Sequence, residues 1–283
     1  MQISSHTQHG HSSDIDYKLW HKRPGHSPIS KLRYITSLPC KNSTSQKVCI
    51  TCPMAKFTKL PYPVSQNKSG VAFKLIHIDI WGPYKVPTHK QFRYFLTIID
   101  DFSRSTWVYL LKYKSQALGT LEQFMHLIST QFQGQIKIIR SDNALEFDSG
   151  PCQQFFSKLG IIHQTSCTDR PQQNGRVERK HRHLLEMARA LRFQANLPLS
   201  FWGDCVLTAT YIINRLPTPI LQHKSPYEMI FQQPPYYAHM KTFGCLVFAA
   251  NPNTSHDKFN ARGIPCVFLG YPPSQKGYKL LNL

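Results

Sequence analysis

Three carboxylates in this chain have the types and spacing of a divalent-metal site. Asp79 and Asp142 each follow or end an apolar, strand-like run, and Glu178 opens a basic helix, in a chain with 15 acidic residues and a net charge of +19. Carboxylate oxygens suit Mg²⁺ or Mn²⁺. Two such ions about 3.5–4 Å apart can activate the attacking oxygen of a phosphodiester reaction and stabilise its leaving oxygen. Taken singly, the three residues are also typical of a turn Asp, a loop Asp and a helix N-terminal Glu.

A second group has the spacing of a zinc site. His21 and His26 form an H-x4-H pair, and Cys49 and Cys52 form a C-x2-C pair further along the chain. Two imidazoles, expected on neighbouring helix turns, and two thiolates on a tight knuckle can close a tetrahedral Zn²⁺ site. Such a four-ligand site is structural, and it would stabilise a segment too small to fold on its own core.

The helix expected over residues 174–195 is strongly basic at its start. A run of this kind is usually a solvated charged face, but beside a metal site in a chain of net charge +19 it favours contact with the DNA backbone. The residues expected to contact DNA are Gln173, Asn174, Arg176, Arg179, Lys180 and Arg182.

Composition favours a globular protein with a polyanionic partner. The chain has 283 residues, of which 41% are hydrophobic, and a sequence pI near 9.7. A basic protein that binds anionic lipid is the alternative, but no amphipathic Lys/Arg helix supports it. No run approaches the roughly 18 apolar residues of a membrane span, and the first twenty residues lack a secretory signal. Eight cysteines in a chain of this length indicate a reducing compartment.

Periodicity predicts an α/β fold with a mixed sheet. Ile76, Ile78 and Ile80 share one face of a strand, and two further β-rich runs follow around a turn at Asp100–Asp101. Alternating helices and strands come next, with helices over 115–132 and 174–195. Ser200 is expected to cap a later helix, Ser225 to open a capping box, and three short strands to follow residue 241.

These patterns divide the chain into segments. The expected organisation begins with a disordered tail (1–16), a zinc-binding segment (17–60) and a linker (61–70). A catalytic domain (71–235) follows, whose core ends at 195 and continues into a helical extension. A small β-unit (236–283) comes last.

Several long motifs in order resemble copia-type retrotransposon polyproteins. They are LWHKRPGH with CITC, LIHIDIWGP, RYFLTIIDDFSRSTWVYLLK, IIRSDNALEF, PQQNGRVERKHRHLLEMARALRFQANLP and KTFGCLVFA with CVFLGY. The resemblance covers nearly the whole chain from about residue 17. It implies a pre-integrase zinc segment, a ribonuclease-H-like integrase core and the start of an SH3-like β-unit. It also implies that Asp79, Asp142 and Glu178 are the catalytic triad and that His21, His26, Cys49 and Cys52 bind zinc.

Three departures from the family pattern stand out. Ala144-Leu145 replace small Gly-rich residues after SDN, which is expected to stiffen or crowd the loop beside Asp142. Asp169-Arg170 precede PQQNG, and Pro24 lies in the HKRPGH stretch. The chain starts with Met and ends within the β-unit, so a fragment of an element is expected.

The resemblance implies an integrase that joins a DNA 3′-hydroxyl to target DNA with two Mg²⁺ or Mn²⁺ ions, and a structural Zn²⁺. DNA and further copies of the chain are the expected partners, with no membrane. The nucleus is the expected location, with a cytoplasmic particle as the alternative. A catalytically inactive nucleic-acid-binding relic is the second hypothesis, and a nuclease that uses water at the same site is the third.

Overall fold

The computed structural model describes residues 17–32, 34–35, 49–56, 69–165, 175–252, 258–272 and 275–283. The expected disordered tail 1–16 and most of the expected linker 61–70 lie outside these ranges. None of the described helices combines the length and the apolar composition needed to cross a bilayer.

A five-stranded mixed sheet forms the centre of the molecule. Its order is β3-β2-β1-β4-β5, in which β1 pairs antiparallel with β2 and parallel with β4. The strands are β1 (Leu75–Trp81), β2 (Tyr94–Asp100), β3 (Thr106–Leu111), β4 (Ile138–Ser141) and β5 (Ile162–Thr165). The meander followed by parallel crossovers confirms the fold class expected from periodicity.

Helices cover both faces of this sheet. One face packs against α4 (Ala117–Phe132), α5 (Leu145–Asp148) and α6 (Gly150–Lys158). The other packs against α7 (Gly175–Ala195) and α8 (Trp202–Arg215). Because successive side chains of a strand point to opposite faces, Ile76 and Ile78 join the first core, while His77 and Asp79 lie under α7.

A small second sheet follows the helical extension. After α9 (Pro226–Phe231), the strands β6 (Leu246–Ala250), β7 (Gly263–Gly270) and β8 (Lys279–Asn282) pair antiparallel in that order. Leu269 of β7 is buried in the same core as α7 and α8. The helical extension therefore links the central sheet to the small sheet.

Two helix starts test the capping expectations. Ser225 is the N-cap of α9 and its side chain accepts a hydrogen bond from the backbone N–H of Glu228, as expected. The expected Ser200 cap is wrong, because Leu199–Phe201 form a 3-10 turn and Phe201 is the N-cap of α8, without a side-chain cap.

The described part of the N-terminal region contains three short helices. They are α1 (Tyr17–Lys22), α2 (Ile29–Leu32) and α3 (Thr51–Lys56), of which α3 packs on α7. The guanidinium of Arg189 on α7 donates to the carbonyl of Ala55 at 3.0 Å. Gly25 has φ +66° and a Cβ there would lie 3.0 Å from the Met187 side chain, so a glycine permits both the turn and the close approach.

The Asp100–Asp101 pair does more than shape a turn. Asp100 accepts hydrogen bonds from the backbone N–H and the hydroxyl of Ser103, which holds the turn as expected. Asp101 is 1% exposed, receives a contact from His77 Nε2 at 2.9 Å, and pairs with the guanidinium of Arg176 on α7. This buried carboxylate therefore ties the start of α7 to the central sheet.

Replacing Asp101 by Ala is expected to lower the free energy of unfolding by about 3–5 kcal/mol, because it leaves the half-buried Arg176 guanidinium without its carboxylate. Urea unfolding followed by circular dichroism measures the change. Asp148→Ala is the matched control, since Asp148 is exposed. Equal midpoints for the two variants would contradict the structural role of Asp101.

Candidate active site and metal centre

The strand register brings Asp79 and Asp142 together. His77 of β1 is paired with Arg140 of β4 in the parallel ladder, and each aspartate lies two residues further along its own chain. Parallel strands advance in step, so the two carboxylates come level at the same edge of the sheet.

Glu178 approaches the same edge from above the sheet. It lies in the first turn of α7, which packs on β1 and β2. The helix is anchored by an apolar stripe, in which Val177, Leu184 and Leu191 are fully buried. Glu178 itself is exposed and therefore open to a ligand.

Electrostatics connects the three carboxylates. The pKa of Asp79 is raised to about 7, chiefly by burial and next by the negative charge of Asp142, with a smaller effect of Glu178. Lys114 and a hydrogen bond from the Ile80 backbone act in the opposite direction. Carboxylates that disfavour one another's charge are stabilised by a bound cation. The residues present therefore fit a divalent ion.

The loop after Asp142 is organised as a helical turn. Asp142 Oδ1 accepts the backbone N–H of Ala144 at 3.1 Å, and Phe147 is buried beneath the turn. Lys114 pairs with Glu146 at 3.0 Å on its outer side. Leu145 is 83% exposed, so it stands clear of the carboxylates and the expected crowding of this loop is not observed.

The His/Cys quartet forms a compact cluster of ligand atoms. The ligand atoms of His21, His26, Cys49 and Cys52 all lie within 4.8 Å of one another. Among the described residues it is the one group of three or more His, Cys, Asp or Glu side chains that clusters closely enough for an ion. The three carboxylates interact through their charges and do not form such a closed cluster.

The distances within the quartet fit a tetrahedral zinc ion. His26 Nδ1 lies 3.2 Å from His21 Nε2 and 3.3 Å from Cys49 Sγ, and His21 Nε2 lies 3.1 Å from Cys52 Sγ. Ordinary zinc bond lengths in a tetrahedron put nitrogen ligands about 3.3 Å apart and nitrogen and sulfur about 3.5 Å apart. The cluster therefore has the size and the donor set of a structural zinc site.

The imidazoles are prepared to act as neutral ligands. Burial lowers the pKa of His26 to about 4 and also lowers the pKa of His21. His21 Nδ1 lies 2.9 Å from the carbonyl of Ser27, which accepts its proton and leaves Nε2 for the ion. His26 follows α1 in a left-handed turn with φ 61°, so the expectation of two histidines on neighbouring helix turns is wrong.

The predicted DNA contacts divide into three groups. Arg179 and Arg182 are exposed on α7. Arg176 pairs with Asp101, and Lys180 is half-buried, with a pKa lowered to about 8 chiefly by burial. Gln173 and Asn174 lie outside the described residues, as do the departures at Asp169-Arg170.

His181 is a residue that sequence reasoning missed. It is buried, its Nε2 lies 2.9 Å from Thr97 Oγ1, and its Nδ1 lies 3.6 Å from Asp79 Oδ2. The sequence did contain a signal for this residue, because His181 lies three residues after Glu178 and residues three apart share a helix face.

Two family models match parts of this chain, and curated relatives match most of its length. The integrase core domain matches residues 72–171, and the retroviral polymerase SH3-like domain matches residues 245–283. The retrovirus-related Pol polyprotein from transposon TNT 1-94 of Nicotiana tabacum is 34% identical over 94% of this chain. The corresponding polyprotein from transposon RE1 of Arabidopsis thaliana is 36% identical over 96%. The chain is similar to part of the retrovirus-related Pol polyproteins of these transposons.

The chain is much shorter than these polyproteins. The chain spans 20% of the length of the TNT 1-94 polyprotein and 19% of that of RE1. Among solved structures, the HTLV-2 integrase catalytic core domain in complex with magnesium is 20% identical with a TM-score of 0.44, covering 58% of this chain and 99% of that one. The integrase core and the SH3-like unit expected from the sequence are both confirmed.

Proposed function

We propose that this chain is a retrotransposon integrase that joins DNA 3′-hydroxyl ends to target DNA in a divalent-metal-dependent reaction. The observation that carries the proposal is the placement of Asp79 on β1 and of Asp142 directly after the adjacent parallel strand β4, with Glu178 close enough to act on the pKa of Asp79. The integrase core domain spans the first two of these residues.

The three carboxylates would hold the catalytic ions. Asp79 and Asp142 would bind the ions from one sheet edge, and Glu178 would complete the set from α7. Two divalent ions held there supply activation of the attacking oxygen and stabilisation of the leaving oxygen. The protein's own contribution is to position the reacting groups, which is the main protein contribution in phosphoryl transfer.

Arg179 and Arg182 are the described α7 cations that carry the proposed DNA contact. Both are exposed and lie within four residues of Glu178, so a phosphodiester at the carboxylates lies within reach of their guanidinium groups. Arg176 is assigned to the Asp101 ion pair instead, and the half-buried Lys180 to the interior side of the helix. The remaining proposals are a structural zinc ion on the quartet, assembly with further copies of the chain, and action in the nucleus.

Replacing Arg179 and Arg182 together by Gln is expected to reduce the slope of log K against log salt concentration by about 1.8, since each phosphate contact contributes about 0.9. Fluorescence anisotropy on a labelled duplex at several salt concentrations measures the slope. Lys74→Gln with Lys137→Gln is the matched control. These exposed lysines directly precede β1 and β4, at the ends of the two strands that are distant from Asp79 and Asp142. An identical slope in both double variants would contradict the assignment.

Product analysis tests the proposed reaction. A labelled duplex with a recessed 3′-hydroxyl at the element end is incubated with a target plasmid and Mg²⁺ or Mn²⁺. The proposal predicts labelled plasmid, in which the donor strand is covalently joined. Plasmid nicking without joined label would instead indicate the nuclease, and tight salt-sensitive binding without either product would indicate the inactive relic.

A further inference from the structure

His181 connects three parts of the proposed metal site. Asp79 and Thr97 are direct cross-strand partners on β1 and β2, and the imidazole of His181 lies over both of them. Its ring stands edge-on to Phe95, with centroids 5.4 Å apart. The imidazole is therefore held in one orientation by β2 on one side and by its own helix on the other.

The ring nitrogens have different neighbours. Nε2 lies 2.9 Å from the Thr97 hydroxyl, and Nδ1 faces Asp79 Oδ2 at 3.6 Å. In the tautomer in which the Thr97 hydroxyl donates to Nε2, the Nδ1–H group faces the Asp79 carboxylate. Contacts of this kind in ligand-free sites are often long and shorten on binding.

Glu178 lies between two anchor points of α7. Arg176, two residues before it, pairs with Asp101, and His181, three residues after it, contacts Thr97 and Asp79. A helix held on both sides of one residue has little freedom to rotate that residue. The position of Glu178 relative to Asp79 is therefore set by these two contacts.

We infer that His181 is a positioning residue of the metal site, which orients the Asp79 carboxylate through Nδ1. This inference rests on the proposed function, because it assumes that the carboxylates bind divalent ions. His181 touches neither DNA nor the ions in this role. Partners that orient metal ligands contribute about 10–100-fold to metal affinity in other proteins.

Two conservative variants separate this role from a purely structural one. The amide nitrogen of Asn can replace Nδ1, so His181→Asn keeps a donor for Asp79 and loses the Thr97 contact. The amide of Gln can replace Nε2, so His181→Gln keeps the Thr97 contact and loses the donor. His181→Ala loses both.

The test is a Mn²⁺ titration of each full-length variant, followed by electron paramagnetic resonance, with the melting temperature recorded alongside. We expect Mn²⁺ affinity to fall about 10–100-fold in His181→Ala and His181→Gln, and to stay within about threefold of wild type in His181→Asn. The melting temperatures are expected in a different order, because the Thr97 contact stabilises the fold. His181→Gln keeps this contact and is expected to melt at a higher temperature than His181→Asn and His181→Ala, which lose it.

Two outcomes overturn the inference in different ways. Wild-type affinity in His181→Ala, or affinities that simply follow the melting temperatures, would show that His181 braces the fold and does not position Asp79. If the Asp79→Asn variant binds Mn²⁺ with wild-type affinity, the proposed metal site itself is overturned, and the inference with it.

Discussion

Asp142→Asn is expected to lower strand transfer by about 10³-fold or more, because a bound metal ion contributes several kcal/mol to stabilising the transition state. The amide is neutral and is a poorer ligand than the carboxylate that comes level with Asp79 at the sheet edge. DNA affinity is expected to stay equal or to increase, since the substitution removes a negative charge near the phosphodiester. The joining assay and duplex anisotropy measure the two effects.

Asp148→Asn is the matched control for this prediction. Asp148 lies six residues further along the chain, at the end of α5, and is exposed. We expect it to join DNA at the wild-type rate. Joining by Asp142→Asn at the rate of Asp148→Asn would remove Asp142 from the catalytic assignment.

The double variant Cys49→Ser with Cys52→Ser is expected to lose bound zinc and to unfold the segment over residues 17–60. Structural zinc sites contribute about 10–16 kcal/mol to the folding of segments of this size. The described apolar core of this segment is small, with Leu32 and Ile35 its buried members. Zinc content by elemental analysis and protease sensitivity of the N-terminal region measure the effect.

The matched control for the zinc prediction is Cys245→Ser, at a half-buried free thiol beside the small sheet. We expect one zinc ion per chain in wild type and in this control, and none in the double variant. Wild-type protein purified without zinc, or a double variant that retains it, would refute the quartet as a zinc site.

Unfolding of the zinc segment is expected to reach the integrase core. The segment packs on α7 through Arg189 and Met187, on the same helix that carries Glu178 about two and a half to three turns earlier. The loss of this packing removes support from the helix that completes the carboxylate set. The helix α7 therefore connects the segment that carries the zinc quartet to the proposed metal site.

Strand positions were predictable from the sequence because alternate residues of a strand face opposite sides of the sheet, which produces an alternation of residue types. Ile76 and Ile78 entered one core and Asp79 the opposite face, as alternation requires. Once β1 and β4 are parallel neighbours, the level placement of Asp79 and Asp142 follows from their distances along the chain. The parallel pairing itself follows from the order of strands and helices.

Helix faces were harder to predict than helix positions. The charged residues of α7 look alike in the sequence, yet Arg176 pairs with Asp101 while Arg179 and Arg182 remain exposed. Which side of a helix is covered depends on packing with residues distant in the chain, and here Asp101 decides it. The same reason explains why His181 was missed, since its partners Thr97 and Asp79 come from two different strands.

Local signals failed where tertiary packing replaced them. Ser200 has the residue type of an N-cap, but Trp202 is buried against Trp81 and Tyr84, and a 3-10 turn takes the place of the cap. His26 has the spacing of a helical ligand, but the turn after α1 brings it to the cysteines.

Anomalous diffraction from crystals of the DNA complex soaked in Mn²⁺ tests most directly whether Asp79, Asp142 and Glu178 hold the catalytic ions. Two anomalous peaks about 3.5–4 Å apart are expected, each in contact with at least one of the carboxylates of Asp79, Asp142 and Glu178. Peaks absent from this sheet edge, or bound by other side chains while DNA occupies the site, would contradict this assignment.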